Sequence, residues 1–436
     1  MDQKITERYE KFVQHLKKEL GSDEFLERHR RSPKDFSRQR ILTFCTVILF
    51  LINMIKRALQ DELDEFFKML VQGQVAQRVV TKSAFCQARQ KLKHTAFIEL
   101  NQSQLAYYYE HFEPQRWQTW RLLAIDGALC DIPDSPALRE YFGFWGSRHG
   151  SGCVKGRQSQ LFDVLNQITV DAHIGPKREG EREMAIHHLA QIRPNDLLLL
   201  DRGYPAFWLF AAILEHHGHF CARVKANYNK QTRQFIQSGA LEQQITLTPT
   251  PQARSICQAK QLPTTPLTLR LVRVDLSATD VEVLLTSLLD TQLYPQPIFG
   301  DLYHHRWPIE EDYKLILARF ELENWTGLSK VAIYQDFHAT IFTKNLAAIL
   351  AQPTQQTLDR QTRSRKYRYQ PNMTHLVSKL KDTIVYLFTD HHLPSLLQAL
   401  WDLIITTIEP VRPNRSFPRI KRVHRRRFPI NYKSTH

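Results

Sequence analysis

Between residues 117 and 225, short apolar runs alternate with stretches of helical periodicity, and this alternation constrains the fold more than any other feature of the chain. TWRLLAID is a short apolar run ending on Asp126, and QLFDVLNQITVDAHI follows with alternating apolar residues. EREMAIHHLAQI reads as a helix, and DLLLLD, ending on Asp201, is the strongest strand pattern in the sequence. PAFWLFAAILEHHG then predicts an amphipathic helix, with Pro205 in its first turn and Gly218 at its C-terminal cap. HFCARVKAN is a further strand. Strands alternating with helices imply an α/β layer with a partly parallel sheet.

The flanking segments differ. Residues 1–115 read as helical, with apolar spacing in Phe12, Leu16 and Leu20 and again through LQDELDEFFKMLV. The run Ile41–Ile55 is apolar but only 15 residues long, short of the roughly 20 that a membrane span requires, and reads as a buried helix. In VVTKSAFCQARQKLKHTAF, Ser83 is placed to cap a helix whose apolar face is Ala84, Phe85, Ala88 and Leu92. Its other face shows Lys82, Gln87, Gln90, Lys91 and Lys93, residue types that reach phosphates or base edges and that also suit an ordinary surface helix. Residues 226–298 are rich in Thr, Gln and Pro and carry β-type runs, read as a β-rich insertion within the α/β unit. Helical periodicity returns from DLYHHRWPIEEDYKLILARF onward, and a polar linker, further helices and a basic tail complete the chain. The expected division is a helical unit over 1–115, an α/β unit over 116–350 and a helical, basic region over 351–436.

Charge narrows the function. Lys and Arg number 59 against 44 acids, a net +15 that points to a polyanionic partner, nucleic acid before membrane. RHRRSPKDFSRQR carries six basic residues, and Val411–His436 carries nine with no acid. The N-terminus shows no secretory pattern, which together with the absent span predicts a cytoplasmic protein. Six scattered cysteines with no C-x-x-C pair argue against zinc fingers and a disulfide framework. GSRHGSG at 146–152 lacks the G-x-S-x-G spacing of a serine hydrolase. Histidine pairs fall at 187–188, 216–217, 304–305 and 391–392, and HHGH at 216–219 reads as a helix end rather than a metal site. Asp131 and Asp134 read as loop acids; Lys155 and Arg157 read equally as DNA contacts or solvated cations.

Three acids sit where regular elements would hold them. Asp126 and Asp201, 75 positions apart, end apolar strands, and ligands gather at the carboxyl ends of strands in open α/β sheets. Glu310 begins or lies within the helix that follows the insertion. Oxygen ligands suit Mg²⁺ or Mn²⁺. Two such ions about 3.5–4 Å apart can activate a water or a 3′-hydroxyl and steady the leaving oxygen of a phosphodiester. On a continuous helix Tyr303, Arg306, Glu310 and Lys314 fall within a band of about 80°, with Arg306 and Lys314 to neutralise phosphate and Tyr303 to donate to it. Pro308 marks a possible first helical turn that leaves Tyr303 and Arg306 outside, and a plain i,i+4 salt bridge also accounts for Glu310 with Lys314.

The pattern Y-x-x-R-x-x-x-E, met by Tyr303, Arg306 and Glu310, resembles the signature of the insertion-sequence-four family of DDE transposases. IDG at Asp126, DRGY at Asp201, RVK at Arg223–Lys225, SPKDFSRQR near the N-terminus and SFPRIKR at 416–422 extend the resemblance over nearly the whole chain. It implies an RNase H-like catalytic core with a β-strand insertion between the second Asp and the Glu. Asp126, Asp201 and Glu310 would then be the catalytic, metal-binding triad, with two Mg²⁺ or Mn²⁺ ions. DNA contacts are expected from Tyr303, Arg306, Lys314, Arg223, Lys225, Lys82, Lys91, Arg419 and Arg422. Family members cut transposon ends and join them to target DNA, some through a hairpin. Joining two ends requires two adjacent active sites, so a homodimer on double-stranded DNA is expected, in a bacterial, nucleoid-associated setting. The family's lysine seven residues after the Glu is replaced by Leu317, and Lys314 is the candidate substitute. The competing readings are a catalytically silent DNA-binding regulator and an RNase H-like nuclease without strand transfer.

Overall fold

The structure is a computed structural model that describes residues 2–38, 40–146, 152–277, 280–390 and 392–412. The expected basic tail, including Arg419 and Arg422, lies outside the described residues, as does most of GSRHGSG. In chain order the first helices are α1 (Gln3–Leu20), α2 (Asp23–His29), α3 (Phe44–Ile52), α4 (Leu59–Leu70), α5 (Lys82–Arg89) and α6 (Thr95–His111). Then come β1 (Arg121–Ile132), α7 (Pro136–Phe142), β2 (Phe144–Gly146), β3 (Gly152–Asp163), β4 (Ile168–Pro176) and α8 (Glu181–His187). A 3-10 turn (His188–Gln191) leads to β5 (Asp196–Leu200), α9 (Phe207–Glu215), β6 (His219–Val224), α10 (Lys230–Ser238), β7 (Glu242–Leu247), α11 (Pro251–Ala259), β8 (Leu267–Asp275) and β9 (Val281–Thr286). The remainder is α12 (Ile298–His304), α13 (Pro308–Ala318), α14 (Lys330–Gln361), β10 (Arg368–Pro371), α15 (Met373–Thr389), α16 (Leu393–Thr406) and β11 (Ile408–Val411).

The chain forms two compact units, one of residues 114–129 and 156–313 and the other of 1–113, 130–155 and 314–436. The first is α/β, as expected. Its sheet runs β3-β1-β5-β6-β9-β8-β7, with β4 paired to β3 beyond this path. β1, β5 and β6 are parallel; β4 on β3, and β9, β8 and β7 in turn, are antiparallel. Leu197, Leu198, Leu199 and Leu200 of β5 are all fully buried because both sheet faces are covered. Leu122, Ala124, Leu197 and Leu199 pack toward Phe299, Leu302, Tyr303, Ile309 and Tyr313 of α12 and α13. Leu123, Ile125, Leu198 and Leu200 pack toward Ala185, Leu209, Phe210 and Ile213 of α8 and α9. At about 1.5–3 kcal/mol per buried aliphatic side chain, this two-sided burial fixes β5 as an interior strand.

The insertion differs from expectation. Residues 226–298 do include three strands, but α10 and α11 lie among them, and β9 pairs with β6 so that the insertion extends the main sheet. Val283 and Leu285 share a core with Phe220 and Ala222 of β6, and this shared burial makes the edge continuous. The end of α9 differs in detail too. Pro205 precedes the helix, Ala206 is its N-cap, and the left-handed residue after it is His217 (φ 60°). Gly218 follows because a Cβ there would meet Ile192 Cγ2 at 2.8 Å.

The second unit is built from the N-terminal and C-terminal helices together. α14 packs on α3 and α6, and α1 packs on α6 and α16. The boundary expected near residue 350 thus falls within α14. α5 is capped by Thr81, whose hydroxyl accepts from Ala84 N; Ser83 lies inside the helix and is exposed. The buried Arg89 ties α5 to α14 through Gln335 Oε1 (2.8 Å) and Asp336 Oδ1 (2.8 Å), while Gln335 Nε2 donates back to the carbonyls of Arg89 and Leu92. The apolar run near residue 48 is α3, with seven of its nine residues buried, and among the described residues no helix is long and apolar enough to cross a membrane.

Candidate active site at the carboxyl edge of the parallel strands

The parallel register brings the two aspartates together. Arg121 pairs with Asp196, and the ladder continues to Ile125 with Leu200, an offset of 75 throughout. Asp126 and Asp201 are the residues that follow the last pair of this ladder, and Asp201 is near enough to act on the Asp126 carboxyl. Their parity is that of Leu122, Ala124, Leu197 and Leu199, whose side chains face α12 and α13. Asp126 does not end its strand, contrary to expectation: β1 runs on to Ile132, and it is the ladder with β5 that stops at Ile125. The register itself is pinned by a buried ion pair, Arg121 to Asp196 (Nε–Oδ1 2.7 Å, Nη2–Oδ2 2.6 Å), with Arg193 N donating to the same carboxylate at 2.8 Å.

Glu310 comes from α13. The continuous helix over 303–314 is not formed: α12 ends at His304, Pro308 occupies the first position of α13, and Arg306 lies in the turn between. Pro favours a first helical position, and Glu310 lies in that first turn, where the helix dipole suits an anion. Across the break Arg306 still reaches Glu310, Nη2 to Oε1 at 2.7 Å. Arg306 is buried, and its Nε makes no hydrogen bond among the described residues. Burial opposes its charge, but the bond to Glu310, with Tyr303 and Asp201 nearby, holds its pKa above the ordinary value. A desolvated guanidinium with one N–H to spare is suited to a phosphate oxygen.

Burial pushes the Asp126 carboxyl up to about 6; Gly127 N (2.9 Å to Oδ1) and Arg306 oppose the shift, and Glu310 and Asp201 add to it. The Asp126 carboxyl therefore lies within the fields of Asp201 and Glu310, an arrangement that calls for a cation. The oxygen-only donor set suits a hard divalent ion.

Tyrosines brace the site. Tyr303, expected to face phosphate, is buried and donates to Leu200 O at 3.3 Å, directly before Asp201. Tyr313 donates to Asp126 O at 2.6 Å. The buried Tyr204 hydroxyl has no hydrogen-bond partner among the described residues, and burial, with Asp126 and Glu181 nearby, raises its pKa well above the ordinary value. Arg223 pairs with Glu282 at 2.8 Å, and Lys225 is exposed. Lys314, one turn beyond Glu310 on α13, is exposed. Lys82 opens α5 and is exposed, and Lys91, two residues past the end of α5, is half-buried. Asp131 lies inside β1 rather than in a loop, paired with Lys155 at 2.6 Å, and Asp134 pairs with Arg139.

Sequence reasoning missed Arg121–Asp196, Arg157–Glu181, Tyr204 and Tyr313. The first pair carries a readable signal, since Arg121 and Asp196 share the 75-residue offset of Asp126 and Asp201.

A mixed α/β sheet that sets two aspartates side by side at a parallel edge, with a glutamate and a buried arginine from the next helix, defines a class of carboxylate-site α/β proteins. The transposase DDE domain family matches residues 117–376, and the chain belongs to it, bearing out the resemblance to the insertion-sequence-four transposases. The chain is 28% identical over 258 residues to transposase InsG of insertion sequence element IS4 from Escherichia coli K12, covering 58% of this chain and 56% of that protein. It is 30% identical over 136 residues to putative transposase InsZ from the same strain, covering 30% and 44%. The chain thus spans about half the length of these relatives. Among solved structures it is similar to a piggyBac transposase synaptic complex with hairpin DNA, with a TM-score of 0.47 at 11% identity, covering 93% of this chain and 87% of that one. Divalent metal use goes with the DDE family.

Proposed function

We propose that the chain is a DNA transposase that binds the ends of a mobile element, hydrolyses phosphodiesters there and joins the resulting 3′-hydroxyl ends to target DNA. The observation that carries this is a parallel ladder that ends just before Asp126 and Asp201, with Arg306, Glu310 and Asp201 all close enough to act on the Asp126 carboxyl. The spatial order β4-β3-β1-β5-β6, with β1, β5 and β6 parallel, supports an RNase H-like reading of the core.

In this reading Asp126, Asp201 and Glu310 hold two Mg²⁺ or Mn²⁺ ions. Bound there, such ions supply Lewis-acid activation of the attacking oxygen and steady the leaving oxygen. The chain's own residues do the rest. Arg306 keeps Glu310 oriented through Nη2 and offers Nε to the scissile phosphate. Tyr303 and Tyr313 fix the backbone carbonyls before and at the two aspartates, acting as positioning residues. Lys314 and Lys225 neutralise neighbouring phosphates, and Arg223 joins them if DNA draws it from Glu282. Lys82 and Lys91 contribute to recognition of the element end from within residues 1–115, with residues 116–350 catalytic and the basic tail, Arg419 and Arg422 included, adding non-specific affinity. Two copies act together on two ends, on DNA of the bacterial nucleoid.

The test uses the element's own flanking DNA. Asp201→Ala is expected to abolish Mg²⁺-dependent cleavage without lowering DNA affinity, and precut 3′-hydroxyl ends are expected to yield joined product with the wild type. Binding without cleavage by the wild type would mark a silent regulator. Cleavage with no joined product would mark a nuclease.

A further inference from the structure

A second ligand-like cluster lies in the α/β unit, built from histidines that the catalytic reading does not use. Asp171 and His173 are two apart on β4 and so share a face, and His188 opens the 3-10 turn packed against them. His188 Nδ1 is 2.7 Å from Asp171 Oδ2, and His173 Nε2 is 2.8 Å from the same oxygen. One ligand atom from each of the three lies within 4.8 Å of the others, the one such set among the described residues. His188 is fully buried, and its Nε2 is 3.0 Å from Ser159 Oγ. His173 Nε2 is buried and makes no properly angled hydrogen bond despite its proximity to Asp171. Two imidazole nitrogens therefore converge on one carboxylate oxygen, and one of them has no other bond to make.

We propose that Asp171, His173 and His188 form a binding site for a divalent transition-metal ion, of which Zn²⁺ is the best match. Two imidazoles and one carboxylate are the donors of three-ligand zinc sites and are too soft a set for Mg²⁺. Bonds of about 2.0–2.1 Å in tetrahedral array place ligand atoms roughly 3.3 Å apart, so each imidazole nitrogen would move about half an ångström away from the Asp171 oxygen. Ser159, paired with His173 across the β3–β4 ladder, lies 3.0 Å from His188 Nε2, and its hydroxyl would accept from Nε2–H once Nδ1 is taken by the ion, as outer-shell partners of metal-bound histidines do. A water would complete the fourth position; His187, its ring 5.4 Å from that of His173, is paired through Nε2 with Glu179 at 3.2 Å. The ion would clip the 3-10 turn to β4. α8, immediately before that turn, carries Arg182, which donates to Gly203 O at 2.8 Å two residues after Asp201. The site would thus steady the loop behind Asp201 without touching the reacting atoms.

The test uses the full chain, stripped with a chelator and titrated with Co²⁺ followed by its visible absorption, then with Zn²⁺ followed by thermal melting. The expected result, with millimolar Mg²⁺ present to occupy the carboxylate site, is one equivalent bound with an imidazole-type spectrum and a raised melting temperature, retained in Asp201→Ala. His173→Ala, at a half-exposed position, is expected to weaken binding by at least about tenfold while the stripped protein melts as the wild type does. His188→Asn gives the same loss if it folds. Equal binding by His173→Ala, loss of binding in Asp201→Ala, or no binding by the wild type at micromolar Co²⁺ or Zn²⁺ would each overturn the proposal. No arm depends on transposase activity, so failure of the functional reading leaves this one standing.

Discussion

Arg121→Met is the perturbation that bears most directly on how the site is assembled. Arg121 and Asp196 are almost wholly buried, with side-chain exposures of 6% and 2%, and meet through two hydrogen bonds of 2.7 and 2.6 Å. Removing one partner of a buried pair costs about 3–5 kcal/mol because the other charge is left without its counterion. Asp196 keeps the Arg193 N–H and can take up a proton, so the low end, about 3 kcal/mol, is expected. Removing both charges in Arg121→Met/Asp196→Leu restores stability to within about 1–2 kcal/mol of the wild type, and with about 3 kcal/mol lost in each single variant the coupling is roughly 4 kcal/mol. Native-state hydrogen exchange resolved on peptides covering 121–126 and 196–201 reads the loss where it occurs. Since the pair sits five residues before Asp126 and Asp201 on both strands, the single variant is also expected to bind Mg²⁺ more weakly. A single-variant loss below about 1 kcal/mol, or a double variant equal to the sum of its singles, would refute the claim that this pair sets the register.

Other outcomes follow from the same geometry. The folded pKa of Asp126, about 6, lies above its unfolded value of 3.8, so the fold binds the proton more tightly and stability falls as pH rises from about 4 to 6. In chelator, Asp126→Asn is therefore expected to melt higher than the wild type at pH 8, by up to about 3 kcal/mol, and to lose that advantage at pH 4. An equal difference at both pH values would sink this assignment. Arg306→Lys is expected to lower end cleavage by about 10–100-fold with little change in melting temperature, because a point charge cannot hold Glu310 and a phosphate at once; a cleavage assay on element-end DNA measures it. Lys82→Ala and Lys91→Ala, if these residues meet phosphates, each lower the slope of log affinity against log salt by about one, uniformly across DNA sequences.

The sequence by itself determined the α/β class and the buried helix near residue 48, and it supplied the acids proposed for the site. Each depends on short-range pattern: four leucines in a row need cover on both faces, and Asp201 directly follows that run. The family signature joined Glu310 to them across a gap that periodicity cannot bridge. Tertiary structure decided the rest, because pairing between distant segments leaves no local trace. The shared offset of 75 became meaningful only once β1 and β5 were neighbours. Pro308 was visible, but the packing of Ile309 and Tyr303 into one core decided that the helix would break and still deliver Arg306 to Glu310. Packing also joined the two terminal helical regions into one unit and placed His173 and His188, fifteen residues apart, on a single carboxylate. A sequence fixes which side chains are available and which face of a strand they take; the register of the strands fixes which of them meet.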